Sequence, residues 1–185
     1  MISKTSSLQS QTSNLKDRMI EVIIQDSELR KAAGEGIDAF LNLIIESTRK
    51  AIGGDLTAEN MAQMSSSQIT LIGYATLRDE LMDGGFVQLI YNGYGPFFFR
   101  NPFDAAMRDW GVVELCRLMR RVKKQYYKYH EEIEHEMSDE EFMSLYEKLP
   151  AFEDFDDEFV TNEEKWTEQV AVYVDNHLEE FIKIV

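Results

Sequence analysis

Apolar residues recur at intervals of three and four along most of this 185-residue chain, and glycines and prolines interrupt them. That periodicity predicts amphipathic helices, and the interruptions mark where each one stops. Leu15, Met19, Val22, Ile23 and Leu29 predict a helix over 15–33, punctuated by Gly34 and Gly36. Ile37, Phe40, Leu41, Ile44, Ile45 and Ile52 predict a second helix over 37–52, closed by Gly53-Gly54. Together they predict a helical hairpin. A short helix over 57–63 follows. Ser65-x-x-Gln68 reads as a capping box, opening a helix over 66–82 that buries Ile69, Ile72, Leu77 and Leu81.

Gly84-Gly85 breaks that helix, and residues 86–92 form a short apolar one. Asn92-Gly93-Tyr94-Gly95-Pro96 is a turn signal, and Phe97-Phe98-Phe99 is too apolar to stay out of the core. Pro102 opens a helix to Trp110. The longest periodic run follows Gly111 and spans 112–134, with Val112, Leu115, Cys116, Met119, Val122, Tyr126, Tyr129 and Ile133 on its stripe. Ser138-x-x-Glu141 caps a helix that Pro150 ends. Thr161-x-x-Glu164 is a third capping box, predicting a last helix with Trp166, Val170, Tyr173, Val174, Leu178, Phe181 and Ile182 on one side. No segment carries a sustained strand pattern with hairpin turns. The expected fold is all-α, a compact multi-helix domain with an N-terminal helical hairpin. The expected organisation is a flexible leader at 1–14, an N-terminal helical segment at 15–64 and a helical domain at 65–185.

A hydrophobic fraction of 44% makes this a folded chain, but charge changes the picture more. The net charge is −15, which opposes nucleic acid and anionic membranes and favours basic partners. The charge is also segregated. Residues 1–99 carry a net −4, residues 100–130 a net +5 and residues 131–185 a net −16. Such asymmetry points to an interaction surface. A single cysteine, Cys116, excludes an intrachain disulfide and falls on an apolar stripe as an expected buried thiol. With neither an apolar signal core nor a long apolar run, the expected location is the cytoplasm.

Glu153, Asp154, Asp156, Asp157, Glu158, Glu163 and Glu164 crowd around one predicted helix start. The helix macrodipole favours carboxylates there, so part of the crowding has a local cause. Arg117, Arg120, Arg121, Lys123, Lys124 and Lys128 form a basic stripe able to pair with the acidic C-terminal third. The two regions do not balance, since +5 against −16 leaves −11. His130 with Glu134, and Glu131 with His135, are spaced four apart, but spacing fixes no third or fourth ligand. No metal or other cofactor is therefore expected. Phosphate-loop, dinucleotide and nucleophile-elbow motifs are absent, so no catalytic residues are assigned and the protein is expected not to be an enzyme.

Several motifs occur in order. Leu71-Ile72-Gly73-Tyr74 precedes Glu80-x-x-Asp83-Gly84-Gly85-Phe86-x-Gln88 and Asn92-x-x-Gly95. Ala105-Ala106-Met107-x-x-Trp110-Gly111, Phe155-Asp156-Asp157-Glu158-Phe159 and Tyr173-Val174-x-Asn176 follow. Over about Gln68 to Phe181 the chain resembles the DNA-mimic-protein C-terminal domain family. In that family an Asp-x-x-Phe segment stands where Asp156 to Phe159 stand here. Asp83 departs from the family's usual asparagine, and Val160 from a second aromatic.

The resemblance implies an acidic all-α fold. It also implies a precedent: one characterised member is a dimeric DNA mimic that occupies the DNA-binding face of a transcriptional regulator, while most members have no known role. The expected function is thus non-enzymatic binding of a basic protein surface, such as that of a DNA-binding regulator, through the seven acidic residues named above. Neither direct nucleic-acid binding nor membrane binding is expected, and a homodimer is implied by the resemblance alone. Reversing Asp156, Asp157 and Glu158 is expected to weaken binding without harming the fold. Glu80, Gly84, Gly85, Phe86, Gln88 and Asn92 are expected to be structural. Glycine supplies unusual backbone angles, Phe86 an anchor, Gln88 and Asn92 bonds to neighbouring carbonyls, and Glu80 an acceptor for backbone N–H groups freed at the turn. The alternatives are a small-ligand- or metal-binding helical protein using Glu80, Gln88 and Asn92, or His130 and His135, and a structural domain with a solvated acidic face.

Overall fold

The computed structural model describes residues 19–185, so the expected leader lies outside the described residues. The order is β1 (Ile23–Ile24), α1 (Asp26–Glu35), α2 (Ile37–Ile52), α3 (Ala58–Met61), α4 (Ser66–Asp83), α5 (Gly85–Tyr91) and α6 (Gly95–Arg100). Then come α7 (Phe103–Asp109), α8 (Val113–Ile133), α9 (Asp139–Lys148), α10 (Glu153–Asn176) and β2 (Lys183–Ile184). Short 3-10 turns at Pro150–Phe152 and Leu178–Glu180 flank α10. The fold is all-α, as expected. Two compact units emerge: the described residues up to Ile72 with His177–Val185, and Gly73–Asn176.

In the first unit, α1 and α2 form the expected hairpin through Gly36, whose φ is 126°. Among the described residues, however, the first helix begins at Asp26, preceded by β1 and an extended Gln25, and Leu15 lies outside the described residues. Val22 and Ile24 are each 2% exposed while Ile23 is 53% exposed, the period of a strand. Three consecutive β-branched residues favour that conformation. Their partner is remote. β1 pairs in parallel with β2, Ile23 opposite Lys183, and the Lys183 N–H donates to the Val22 carbonyl at 2.7 Å. Leu178 accordingly opens the 3-10 turn that follows α10, and Phe181 and Ile182 lie between that turn and β2, not on the face of α10.

The Ser65 box forms as expected. The Gln68 N–H donates to Ser65 Oγ at 3.0 Å, and the Ser65 N–H to Gln68 Oε1 at 3.0 Å. Its spare donors reach the C-terminal segment, Gln68 Nε2 to the Phe181 carbonyl at 2.8 Å and Ser65 Oγ to that of Glu180 at 2.9 Å.

In the second unit, α8 is the central element, with Leu115, Leu118, Val122, Tyr126 and Ile133 at 0% exposure. Phe98 and Phe99 are buried on α6, which forms where only a packed segment was expected. The Ser138 capping box opens α9 as expected. The third capping box does not form. Thr161 lies inside α10, which starts eight residues earlier, after the Pro150–Phe152 turn. Glu153, Asp154 and Asp156 occupy its first turn, where carboxylates stabilise the free N–H groups. Phe159, Trp166, Val170 and Val174 then supply an unbroken apolar stripe.

The continuity of α10 has a direct test. Were Thr161 a cap, proline at the next position would be well tolerated. Inside a continuous helix it costs about 3 kcal/mol or more. Asn162→Pro is therefore expected to lower unfolding free energy by about that amount in urea titration; a near-neutral effect would place the helix start at Thr161.

Candidate functional site: the acidic helix and the Gly-Gly turn

The turn between α4 and α5 organises the motif residues. Gly85 has φ +77°, a left-handed conformation that side chains rarely adopt. Space forbids a side chain as well, since a Cβ there would lie 2.6 Å from Asp156 Oδ2. This backbone aims the next amide outward from the helix ladder. The Phe86 N–H donates to Asp156 Oδ1 at 2.8 Å, across seventy residues of chain. The acceptor at the turn is thus Asp156, not Glu80 as expected. Phe86 itself is fully buried, as a core anchor should be.

Glu80 instead gathers side-chain amides. Asn92 Nδ2 donates to Glu80 Oε2 at 2.8 Å, and Gln88 Nε2 to the same oxygen at 3.4 Å and to Asp83 Oδ2 at 2.8 Å. Gln88 and Asn92 therefore bond carboxylates, not backbone carbonyls. Tyr146 on α9 donates its hydroxyl to the Gly84 carbonyl at 2.6 Å. Burial, then the charges of Asp156, Asp83 and Glu80, push its pKa up to about 12. The motif's amide and carboxylate groups are engaged with one another.

Burial also pushes Asp156 from 3.8 up to about 6, with neighbouring Asp157 and Glu153 adding to the rise and the Phe86 N–H opposing it. Phe159, fully buried three residues on, completes the Asp-x-x-Phe segment, while Val160 faces solvent. An aromatic there would not enlarge the core.

The remaining acidic residues divide by what they touch. Glu163 is buried, 6% exposed, and does not belong to the acidic surface. It pairs with Arg78, and the Thr167 hydroxyl donates to its Oε1 at 2.8 Å. Tyr74 and Thr167 share a hydrogen bond at 2.7 Å. Glu158 is held by Arg121 Nη2 at 2.5 Å from both its oxygens. Asp154, Asp157 and Glu164 are exposed and make no ion pair among the described residues, nor does exposed Glu153. Tyr74 ends the Leu71-Ile72-Gly73-Tyr74 motif, whereas Arg78, Tyr146 and Thr167 carried none. The signal for Arg78 and Thr167 was spacing, since Tyr74 and Arg78 are four apart on α4, and Glu163 and Thr167 four apart on α10; Tyr146 carried no signal.

The histidine candidates do not converge. His135 is exposed, His130 rests its ring edge on Tyr126 at 5.2 Å, and Glu134 accepts the Tyr126 hydroxyl at 2.8 Å. Among the described residues no three His, Cys, Asp or Glu side chains gather to hold a metal. Cys116 is buried as expected, and burial raises its thiol pKa. No helix among the described residues is long and apolar enough to cross a membrane.

Residues 62–177 match the model of the DMP19-like protein family. The DNA mimic protein DMP19 of Neisseria meningitidis serogroup B (strain ATCC BAA-335 / MC58) is 30% identical over 128 residues, 68% of this chain and 77% of that relative. The chain belongs to the DMP19-like family. The DMP19-like match encloses the Gly-Gly turn, its Asp156 partner, and the whole of α8 to α10.

Removing the Asp156 acceptor leaves a buried amide unsatisfied, which costs about 1–3 kcal/mol. Asp156→Ala is expected to lose that much at pH 7, whereas Asp156→Asn keeps an oxygen for the Phe86 N–H. The folded protein holds the Asp156 proton at pH values where the unfolded chain has lost it. Its contribution to stability is therefore greatest below about 4, falls as pH rises to about 6, and is flat above. The stability of the wild type relative to Asp156→Asn should follow that course in denaturant titrations from pH 3.5 to 7.5. A pH-independent difference would mean that Asp156 is not a buried carboxylate.

Proposed function

We propose that this protein is a non-enzymatic DNA mimic that binds the basic, DNA-contacting face of a DNA-binding protein. The observation that carries the reading is the unpaired acidic face of α10. Asp154, Asp157 and Glu164 are exposed there, and Glu168 extends the row. The similarity to a relative named as a DNA mimic supports the same reading.

Residues three, four and seven apart on a helix are stepped by about 4.5, 6 and 10.5 Å along its axis. One strand of a duplex advances about 3.4 Å per phosphate, so a four-residue step falls near two phosphates. Lysine and arginine side chains placed to reach alternate phosphates meet carboxylates at a similar pitch. Arginine accepts either anion with the same planar fork, and lysine with a point charge. Binding of this kind competes with DNA and weakens in salt.

The geometry changes which residues should be tested. Asp156 and Glu158 hold other groups in place, so reversing them disturbs the fold as well as the surface. Asp157→Lys, Glu164→Lys and Glu168→Lys avoid that. Lysate from the source cell passed over the immobilised protein at low salt should yield a DNA-binding protein that duplex DNA releases. The triple variant should retain it at least tenfold less while unfolding at the wild-type temperature. A captured protein that duplex DNA fails to displace, or that the triple variant binds equally well, would refute the reading.

A further inference from the structure

A groove of about 690 Å³ runs between α8 and α10, on a different part of the second unit from the Gly-Gly turn. Two ion pairs set its register. Lys165 Nζ meets Glu114 Oε2 at 2.6 Å at one end, and Arg121 meets Glu158 at 2.5 Å at the other. The helices run antiparallel there, since rising numbers on α8 meet falling numbers on α10. Three residues in from Glu114 is Arg117, and three residues back from Lys165 is Asn162. Both line the groove. The middle rung of this ladder thus sets an arginine against an amide where the outer rungs set a cation against a carboxylate.

Arg117 is exposed and makes no ion pair among the described residues, although it contributes weakly to lowering the Glu114 pKa. The other groove cations are already engaged, Arg120 with Asp104 at 2.7 Å and Arg121 also over the Phe155 ring at 5.5 Å. Asn162 is oriented by its own helix, its Nδ2 donating to the Glu158 carbonyl at 2.8 Å.

We propose that this middle rung is a carboxylate subsite, filled by an aspartate or glutamate side chain of an acidic peptide segment of a partner protein. The charge arrangement favours a carboxylate over a phosphate chain. One uncompensated cation sits between flanking ion pairs, over the roughly 10.5 Å that seven helical residues span. A duplex presents one charge per about 1.7 Å, or about six over that length. It would set several phosphates against Glu114 and Glu158 for each one it satisfied. A single acidic side chain finds a planar guanidinium fork with no competing carboxylate on its rung.

The test is a titration of the full chain, followed by 15N-resolved NMR of the arginine Nε–H and asparagine side-chain groups. The probes are an acetylated decapeptide of alternating Glu and Ser, its Gln-for-Glu counterpart and a 16-base-pair duplex, all at low ionic strength. The Glu peptide is expected to shift the Arg117 and Asn162 signals together, and the Gln peptide to leave them unmoved. Arg117→Gln should weaken binding at least tenfold. Asn162→Asp, which supplies a carboxylate to the rung from within the protein, should block the peptide while leaving the fold intact. Failure of the Glu peptide to shift either signal up to millimolar concentration would overturn the proposal. So would equal affinity in Arg117→Gln, or a duplex that shifts the same signals more strongly than the peptide. None of these outcomes bears on the acidic face of α10, which carries its own test.

Discussion

The hydrogen bond from the Phe86 amide to Asp156 is the constraint on which the second unit's arrangement depends. A left-handed glycine redirects the chain between α4 and α5 and takes an amide out of the helix ladder. A buried amide needs an acceptor. The protein supplies a carboxylate from α10, which must then sit largely out of water beside Asp157 and Glu153. The raised Asp156 pKa records that cost. Since Gly85 has no Cβ, the carboxylate approaches the backbone closely, and Phe86 is driven into the core by the same geometry. Glycine, phenylalanine and aspartate are therefore one unit separated by seventy residues, and altering any of them disturbs the other two.

This arrangement sorts the acidic run of α10 by face. Asp156 turns inward to the amide, and Glu163, seven residues later, turns inward to Arg78. Residues seven apart share a helix side, so the inward stripe carries two carboxylates, half-buried Asp156 bonded to an amide and buried Glu163 paired with an arginine. Buried ion pairs are weak evidence for net stability, because desolvation offsets most of their attraction. Removing only one partner is costly, however, because it strands the other. The two inward carboxylates thus tie α10 to the rest of the unit. Asp157 and Glu164 are left on the outer side without a structural duty, and Asp154 beside them serves only the helix start.

Much of the fold was legible because its signals are local. The boxes at Ser65 and Ser138, the glycines after α2 and α4, and Pro150 each act within a few residues of the boundary they set. Three features were not legible, for related reasons. Val22, Ile23 and Ile24 fit a helical stripe or a strand equally well, and the deciding partner is β2, some 160 residues away. Thr161-x-x-Glu164 has the residues of a cap but lies within an apolar stripe that begins at Phe155, and continuous packing outweighs a cap of about 1 kcal/mol. Glu163 looks identical in sequence to Glu164, and only the position of Arg78 on another helix distinguishes them. The partners of the motif residues were assigned locally, whereas Asp156 comes from seventy residues away.

The separation of inward from outward carboxylates bears on how a mimic would compete with DNA. A duplex carries one charge per about 1.7 Å and holds a condensed layer of counterions, whose release drives binding and makes it steeply salt-dependent. The outer face of α10 carries a carboxylate only every 4.5 to 10.5 Å or so along its axis. At that density few counterions are held, and few are released when a basic face docks. Attraction to such a face therefore falls less steeply with salt than attraction to DNA does. A mimic built this way does not need to match the duplex at low ionic strength. It gains on DNA as ionic strength rises, with its charges already set along α10, which Asp156 and Glu163 hold to the rest of the unit.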